Sequence, residues 1–345
     1  MVLGIETSCD ETAVAILNAE GRILANVLDS QVAVHAPFGG VVPELASRRH
    51  MERLEVLTRE AFERAGLTLS DITGIAVTNR PGLVGALIVG VNFAKALAYA
   101  RKIPYVTVNH LEGHLASAWL ANPDLATPAM VLVASGGHTH LAWAPNRGEY
   151  QFIGWTLDDA AGEAFDKGAK MLDLPYPGGP AIDELAQQGN RQAVVFPRPQ
   201  LHSGDFTFSF SGLKTSLLYF LKNGKKSTDL QLSVADIAAS YQEAIVEVLV
   251  AKLCRAARQY EVKAISVVGG VAANSRLREK LEEQAVVFGL DLTLPPRSLC
   301  TDNAAMIAAA GLGKLQRREF ASWNEDALST VQCKNEFFSK AVIPT

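Results

Sequence analysis

The chain is poor in cysteine: Cys9, Cys254, Cys300 and Cys333 are scattered over 345 residues, with no Cys-x-x-Cys pair. That excludes a disulfide framework and an all-thiolate zinc site, and it fits a reducing compartment. There is no excess of positive charge: 32 Lys+Arg stand against 36 Asp+Glu, a net charge of -4. A strongly basic nucleic-acid-coating protein is thereby excluded, although a local basic patch is not. There is no long uninterrupted apolar run. Asn92 and Lys95 break the most apolar stretch, residues 83–100, so no segment is expected to span a bilayer. The N-terminus has no basic region ahead of an apolar one, and Glu6 comes early; the expectation is a soluble cytoplasmic protein with no signal peptide. Neither the Gly-x-x-x-x-Gly-Lys-Ser/Thr phosphate loop nor the Gly-x-Gly-x-x-Gly dinucleotide fingerprint occurs.

What is present suffices for a large core. Apolar residues make up 48% and charged residues 20%, and a chain of this length suggests two domains. Val2 to Ile5 is a short strand-like run; the polar turn Glu6-Thr-Ser-Cys-Asp-Glu11 follows, then a second run from Thr12 to Leu17. Two strands around a tight turn read as a hairpin. The design recurs in Met130-Val-Leu-Val-Ala134, Ser135-Gly136-Gly137-His138 and Thr139-His-Leu-Ala-Trp143. A third strand, Ala264 to Val268, meets Gly269-Gly270 and then a helix after Asn274. This loose repeat predicts a duplicated α/β fold with a cleft between the copies. Spacing predicts an amphipathic helix over 43–65, a small-residue buried helix over 85–100, a long helix over 233–260 and an Ala-rich helix over 302–316 headed by Thr301-Asp302-Asn303. The segment from Arg317 is polar and weakly patterned, and is expected to form a loose tail.

His110-Leu-Glu-Gly-His114 puts two imidazoles one helical turn apart on one face, a spacing that lets them share a metal. The alternative is an ordinary surface pair. The zinc-peptidase motif His-Glu-x-x-His is a different arrangement. There the Glu lies about 80° from the centre of the pair, whereas Glu112 lies about 180° away and points from the metal. Two histidines need a third ligand, and Asp302 is a candidate, with a plain helix cap as its alternative role. Side-chain-free turns such as Ser135-Gly-Gly-His138 let backbone N–H groups approach an anion, or simply close a hairpin. Asp158 to Lys167 is an acidic run that leads into a helix, where Asp166 or Lys167 could face a cleft. Tyr176-Pro-Gly-Gly-Pro180 is a rigid loop with Asp183 just beyond. Carboxylates near glycines are partners of ribose hydroxyls, or parts of structural turns. Phe206 to Thr215 alternates like a strand that would leave Ser209, Ser211 and Lys214 for a cleft, and Asn274 is a cap or a ligand contact.

Together these segments resemble the TsaD/Kae-type family, the tRNA adenosine threonylcarbamoyltransferases once labelled O-sialoglycoprotein endopeptidases. The resemblance runs over about residues 1–312. It is carried by Gly4-Ile-Glu-Thr-Ser-Cys-Asp-Glu-Thr12, Gly39 to Arg48, Pro81-Gly-Leu-Val-Gly-Ala-Leu87, the His110–His114 pair and Ser135 to Thr139. Asp158 to Lys167, Tyr176 to Pro180, Phe208 to Thr215, Gly269 to Asn274 and Cys300 to Asn303 complete it. Two places depart from the pattern: Asn79-Arg80, where the family often has a small or Gly-containing pair, and the segment after Gly313.

The resemblance implies an α/β actin/Hsp70/sugar-kinase-like (ASKHA) fold of two lobes around a nucleotide cleft. The lobes are expected over 1–110 and, with insertions, 111–301; a C-terminal helix over 302–320 would pack back on the first lobe, and 321–345 would be a tail. It implies an acyltransferase that moves threonylcarbamoyl from threonylcarbamoyl-AMP to N6 of adenosine 37 in tRNAs reading codons that begin with A. It implies one divalent metal, iron or zinc, on His110, His114 and Asp302. Donor contacts would be Ala134, Ser135, Gly136, Gly137, His138, Asp166, Gly179, Asp183 and Asn274, with Glu11 near the reacting centre as a catalytic candidate. A paralogous TsaB-like subunit and a small TsaE-like ATPase are the expected partners, with the helix over 43–65 as a docking surface. Arg48, Arg49, Arg53, Arg276 and Arg278 could form positive patches for tRNA. Rival readings are a metallopeptidase, a non-catalytic nucleotide-binding scaffold and a sugar or acetate kinase.

Overall fold

The computed structural model describes residues 1–224 and 232–329; Cys333 lies outside them. The strands are β1 (Val2–Glu6), β2 (Glu11–Leu17), β3 (Ile23–Ser30), β4 (Gly74–Arg80), β5 (Tyr105–Asn109), β6 (Ala129–Ala134), β7 (Thr139–Asn146), β8 (Glu149–Trp155), β9 (Ala264–Val268) and β10 (Asp291–Thr293). The helices are α1 (Val32–His35), α2 (Pro43–Ala65), α3 (Val84–Arg101), α4 (His110–Ala121), α5 (Ala161–Met171), α6 (Gly178–Ala186), α7 (Ser211–Gly224), α8 (Val234–Gln259), α9 (Ser275–Phe288) and α10 (Ala304–Gln316).

The described residues form two compact units, Met1–Pro123 together with those from Thr301 onward, and Asp124–Cys300. Each holds one five-stranded sheet. The orders are β3-β2-β1-β4-β5 and β8-β7-β6-β9-β10. In both, the first three strands in sequence run antiparallel and the last two join the first in parallel. The same order and strand directions twice in one chain are the duplication that the repeated strand-turn-strand pattern predicts. The units part after Pro123 rather than after residue 110, because α4 packs on α10 and stays with the first sheet.

Strands β1, β4, β6 and β9 are buried almost throughout. Such central strands read as continuous apolar runs because both faces are covered. Helix α3 is apolar enough to cross a membrane by length and composition, but it packs on β4 and α2. The expectation of a buried helix is corrected: only one face, with Ala86, Leu87, Val91, Ala94 and Ala98, is buried, while Val84, Ile88 and Tyr99 are exposed.

Two further expectations fail. Phe206 to Thr215 makes only an isolated bridge, Thr156 to Phe208, before α7 begins at Ser211. Asp158 accepts from the backbone N–H groups of Phe210 (2.7 Å) and Ser211 (3.2 Å) and from both serine hydroxyls, so it caps the α7 start and uses up Ser209 and Ser211. The segment after α10 is not loose as far as it is described. Ala321 N donates to Tyr105 O (2.9 Å), Trp323 packs on Tyr99 and Tyr105, and Ala327 is buried in the core of the first unit.

Helix α10 lies against β1, β4 and α4 at unusually close range. A Cβ on Gly4 would stand 2.4 Å from Ala304 O, and one on Gly311 would stand 2.2 Å from the Ala76 Cβ. Gly311→Ala is therefore expected to lower stability by about 1–3 kcal/mol through overpacking. Gly204→Ala, where a Cβ meets nothing within 4 Å, should stay within about 0.5 kcal/mol of the parent. Urea-unfolding midpoints of the two variants check this.

Candidate metal centre

Three sequence-distant residues converge in the first unit. Asn109 caps α4 by accepting from Leu111 N (2.9 Å), which starts the helix at His110. His110 and His114 then share a face, with ring centroids 4.6 Å apart. Asn303 caps α10, accepting from Met306 N (3.1 Å). The preceding Asp302 is thus spared the capping role that was its alternative. Its Oδ1 lies 3.5 Å from His110 Nε2 and 3.1 Å from His114 Nε2.

The three donor atoms lie within 4.8 Å of one another, and the group can hold a metal ion. The fit is supported by His114. Its side chain is fully buried, and neither ring nitrogen makes an aligned hydrogen bond, a costly state unless something else binds the lone pair. Two imidazoles and one carboxylate are a donor set for a divalent transition ion.

Sequence reasoning missed Glu6. This wholly buried carboxylate ends β1, where Oε2 lies 3.1 Å from His110 Nδ1 and accepts from Thr78 Oγ1 (2.6 Å), and Oε1 accepts from Ser8 N (2.5 Å). Ser8 Oγ also lies 3.2 Å from His110 Nδ1. A carboxylate on Nδ1–H fixes the tautomer that presents Nε2 to a metal. The available signal was a Glu closing an otherwise apolar strand.

The charges are strongly coupled. Burial alone would lower the His110 imidazole, but Asp302 and Glu6 outweigh it and raise His110 well above the usual histidine range. Burial would raise Asp302, yet the two imidazoles hold it well below the usual carboxylate range. Burial, then the neighbouring Asp302 and Asp10 carboxylates, push Glu11 well above it. Glu112, by contrast, pairs with Lys314 (3.1 Å), in keeping with its placement on the face away from the histidines.

The second unit gathers the remaining candidates. Ser135 N donates to His138 O (2.8 Å) to close the turn after β6. Gly162 N donates to Ser135 O, and Cβ atoms on Gly162 or Gly269 would stand 2.5 Å from Ser135 O and Ala134 O respectively. Gly136 and Gly137 differ. They have no positive φ, and a Cβ on either would meet nothing within 4 Å. Neither a turn nor crowding inside the chain calls for glycine there; the same holds for Gly179. Asp166 accepts from Gly178 N (2.7 Å), and Asp183 accepts from Ser275 N (2.9 Å) and Oγ (2.7 Å). Asn274 caps α9 through Leu277 N and donates to Gln242 Oε1 (2.7 Å).

The basic-patch expectation is corrected at two positions. Arg276 is buried against Glu243 (2.6 Å), and Arg278 donates to the Ala272 and Pro295 carbonyls; both guanidinium groups are occupied in building the α9 region. Arg49 and Arg53 lie within ion-pair distance of Asp29, and Arg48 is exposed.

A family model described as "TsaD: tRNA N6-adenosine threonylcarbamoyltransferase" matches residues 22–309. The chain is 52% identical over 311 residues to the Bacillus subtilis (strain 168) tRNA N6-adenosine threonylcarbamoyltransferase, covering 90% of this chain and 89% of that protein. It is 53% identical over 321 residues to the like-named protein of Anaeromyxobacter sp. (strain Fw109-5), covering 93% and 96%. Among solved structures it resembles full-length HypF in the phosphate- and nucleotide-bound form, with a TM-score of 0.60, 12% identity, and coverage of 94% of this chain and 47% of that one. It also resembles component A of the (R)-2-hydroxyglutaryl-CoA dehydratase of Acidaminococcus fermentans, with a TM-score of 0.55, 18% identity and coverage of 91% and 98%. The duplicated sheets and these likenesses define the class, an α/β protein of the actin/Hsp70/sugar-kinase-like architecture. Within that class the chain belongs to the tRNA N6-adenosine threonylcarbamoyltransferase family.

Two outcomes are expected. Glu6→Gln should weaken divalent-metal binding about 10- to 100-fold with the fold retained, as read by competition with a chromophoric chelator and by circular dichroism. Burial alone would raise Glu243, but hydrogen bonds from Arg276 and Lys280 outweigh it and pull the carboxyl from 4.5 down to about 2. A depressed value stabilises the fold fully above the unfolded-state value, and the benefit is lost as pH falls through the folded one. The melting temperature should therefore drop between about pH 4.5 and 2, and Glu243→Gln should flatten that limb.

Proposed function

We propose that this chain transfers the threonylcarbamoyl group from threonylcarbamoyl-AMP to N6 of adenosine 37 in tRNAs that read codons beginning with A. Family membership supports the transferred group and the acceptor. The convergence of His110, His114 and Asp302 is the observation that carries the local reading. These residues would hold Fe(2+), with Zn(2+) as the alternative, because a two-His, one-carboxylate set with open positions favours ferrous iron. When bound, the ion would supply Lewis-acid polarisation of the carbamoyl carbonyl and orient the threonyl portion.

The chain's own groups supply the rest. Glu6 keeps the His110 Nε2 lone pair directed at the centre. The N6 nitrogen bonds to the carbamoyl carbon, the bond from that carbon to the AMP phosphate oxygen breaks, and AMP leaves with the electron pair. Glu11, the first residue of β2 after the polar turn, takes the amine proton. Ala134, Ser135, Gly136, Gly137, His138, Asp166, Gly179, Asp183 and Asn274 bind the donor. The open, unconstrained backbone at Gly136, Gly137 and Gly179 supports a close ligand approach. The Gly136 and Gly137 amides serve the developing negative charge; the Ser135 amide is already committed to His138 O. Adenine N6 is a weak nucleophile, so positioning supplies much of the rate. The reaction takes place in the cytoplasm with a TsaB-like paralogous subunit and a TsaE-like ATPase, which help to hold tRNA on a chain whose net charge is -4.

The test is reconstitution with threonylcarbamoyl-AMP, unmodified tRNA and the partner subunits, followed by nucleoside mass spectrometry and metal analysis of the same samples. His110→Ala and Asp302→Ala should each lower modified-adenosine formation at least about 100-fold and reduce bound metal. Full activity in either variant, at matched protein level, sinks the reading.

A further inference from the structure

A chain of buried polar side chains in the first unit is used neither by the metal centre nor by the proposed donor site. His35, Gln31, His50 and Thr12 are all fully buried. Val42 N donates to His35 Nδ1 (3.3 Å). A backbone N–H can only donate, so His35 carries its proton on Nε2 and donates to Gln31 Oε1 (3.1 Å). That leaves the Gln31 amide nitrogen facing Ala46 O (3.5 Å) and His50 Nδ1 (3.4 Å). At the other end, His50 Nε2 lies 2.9 Å from Cys9 O. A carbonyl can only accept, so His50 is protonated on Nε2, and its Nδ1 accepts from Thr12 Oγ1 (2.7 Å). Two backbone groups thus fix both tautomers and the amide orientation between them.

The endpoints of this network give it its meaning. One imidazole grips the β1–β2 turn at both ends, through the Cys9 carbonyl and the Thr12 hydroxyl, with Asp10 and Glu11 between them. Gln31 N donates to Asp10 O (2.9 Å). The peptide planes before Asp10 and before Glu11 are therefore both pinned. Beyond Glu11 the chain is paired into β2, opposite Ser30. With these planes fixed, the directions in which Asp10 and Glu11 leave the backbone are fixed too. Burying three polar side chains to hold a partly exposed turn is costly unless the turn's geometry matters.

We propose that His50 is a positioning residue: it holds the Cys9–Thr12 turn so that the direction in which Glu11 leaves the backbone stays fixed, with Gln31 and His35 supporting the imidazole in the tautomer that the Cys9 carbonyl sets. This rests on the reading of Glu11 as an acting group, and it adds a residue outside the donor and metal shells. The loss on substitution should fall on kcat, not on substrate or metal binding.

The experiment uses the reconstituted transfer reaction and hydrogen-exchange mass spectrometry of the same proteins. His50→Ala should lower kcat about 10- to 100-fold, with KM for threonylcarbamoyl-AMP and metal content within about twofold of the parent. Exchange should quicken in peptides covering 7–13, while β4, β5 and α4 keep their protection. His50→Gln, which keeps an N–H donor near the Nε2 position for Cys9 O, should recover most of the lost kcat; His50→Asn, too short for that contact, should not. Should His50→Ala fail to fold, His50→Gln, His50→Asn and Thr12→Val carry the same comparison. An unchanged kcat in His50→Ala, or a loss shared by KM, metal content and exchange across the whole unit with no rescue by Gln, overturns the proposal. Glu11→Gln separates the two readings. If it is inactive while His50→Ala is not, only the positioning role fails; if it is active, the assignment of Glu11 fails first.

Discussion

The candidate centre depends on one steric fact, the closeness with which α10 can lie on β1, β4 and α4. Asp302 sits just ahead of α10 and more than half the chain away from the histidines, so only the docking of that helix brings it to them. A helix carrying ordinary side chains would stand off. Here Gly4 accepts the Ala304 carbonyl against its α-carbon, Gly311 rests on Ala76, and Gly113 of α4 accommodates Ile307. Each contact occupies the space where a Cβ would be, and an added methyl in a close-packed interior is relieved only by backbone movement. An α10 shift of one ångström would move Asp302 by a comparable amount. The Ala- and Gly-rich composition of this helix is therefore part of the site.

Around that contact, polar groups divide the work so that functional atoms stay available. Asn109 and Asn303 cap the two helices, which spares His110 and Asp302 from doing so. Glu6 is fully buried, but Thr78, the Ser8 amide and His110 satisfy its lone pairs. Glu6 and Asp302 flank the His110 ring, and Asp302 also lies beside His114, so that His110, His114 and Asp302 present three donor atoms to one point. The imidazole of His110 is raised and the Asp302 carboxyl lowered because each stabilises the other's charged form. Such a cluster is a poor source of stability, since desolvation offsets most of the attraction. Its arrangement is more economically explained by the chemistry of a cation that binds all three donors.

Legibility in the sequence followed the strength of the local signal. The 43–65 helix was readable to the residue because its first-turn proline, polar face and terminal Gly66 agree. The two hairpins were readable because apolar runs flank polar turns. β3 was not, because Ile23, Leu24 and Leu28 are exposed and blur its alternation. The alternating Phe206–Phe210 segment looked like a strand because its phenyl rings are buried, yet Asp158, some fifty residues earlier, caps a helix there and overrides the pattern. His110 and His114 announced themselves by spacing. Asp302 needed the family resemblance, since nothing local separates a ligand from a cap. Arg276 looked like a surface cation because its acidic partner, Glu243, lies on another helix.

The end of β4 at Asn79 and the segment after α10, the two places where the sequence reading expects a departure from the family pattern, meet in space. Asn79 ends the buried part of β4, and its amide nitrogen donates to Asp326 O (3.0 Å) and lies 3.4 Å from Glu325 Oε1. Asn79 O accepts from Leu328 N (2.9 Å), and Lys95 Nζ donates to Glu325 O (2.5 Å). The same strap covers β5, an edge strand, through Ala321 N to Tyr105 O and the Tyr105 hydroxyl to Ser322 O. An exposed edge of unpaired backbone groups invites pairing with another chain, and a covering segment removes that hazard. A side-chain amide, with both a donor and an acceptor, suits such a clasp better than a glycine could, because glycine has no group to offer the returning chain. Meanwhile Gly82 and Leu83 keep their contact with Ser8, through a close glycine approach and the Leu83 N to Ser8 O bond (2.8 Å). Asn79 thus helps to hold the segment that covers the β5 edge, and the loop that follows it braces the turn bearing Ser8.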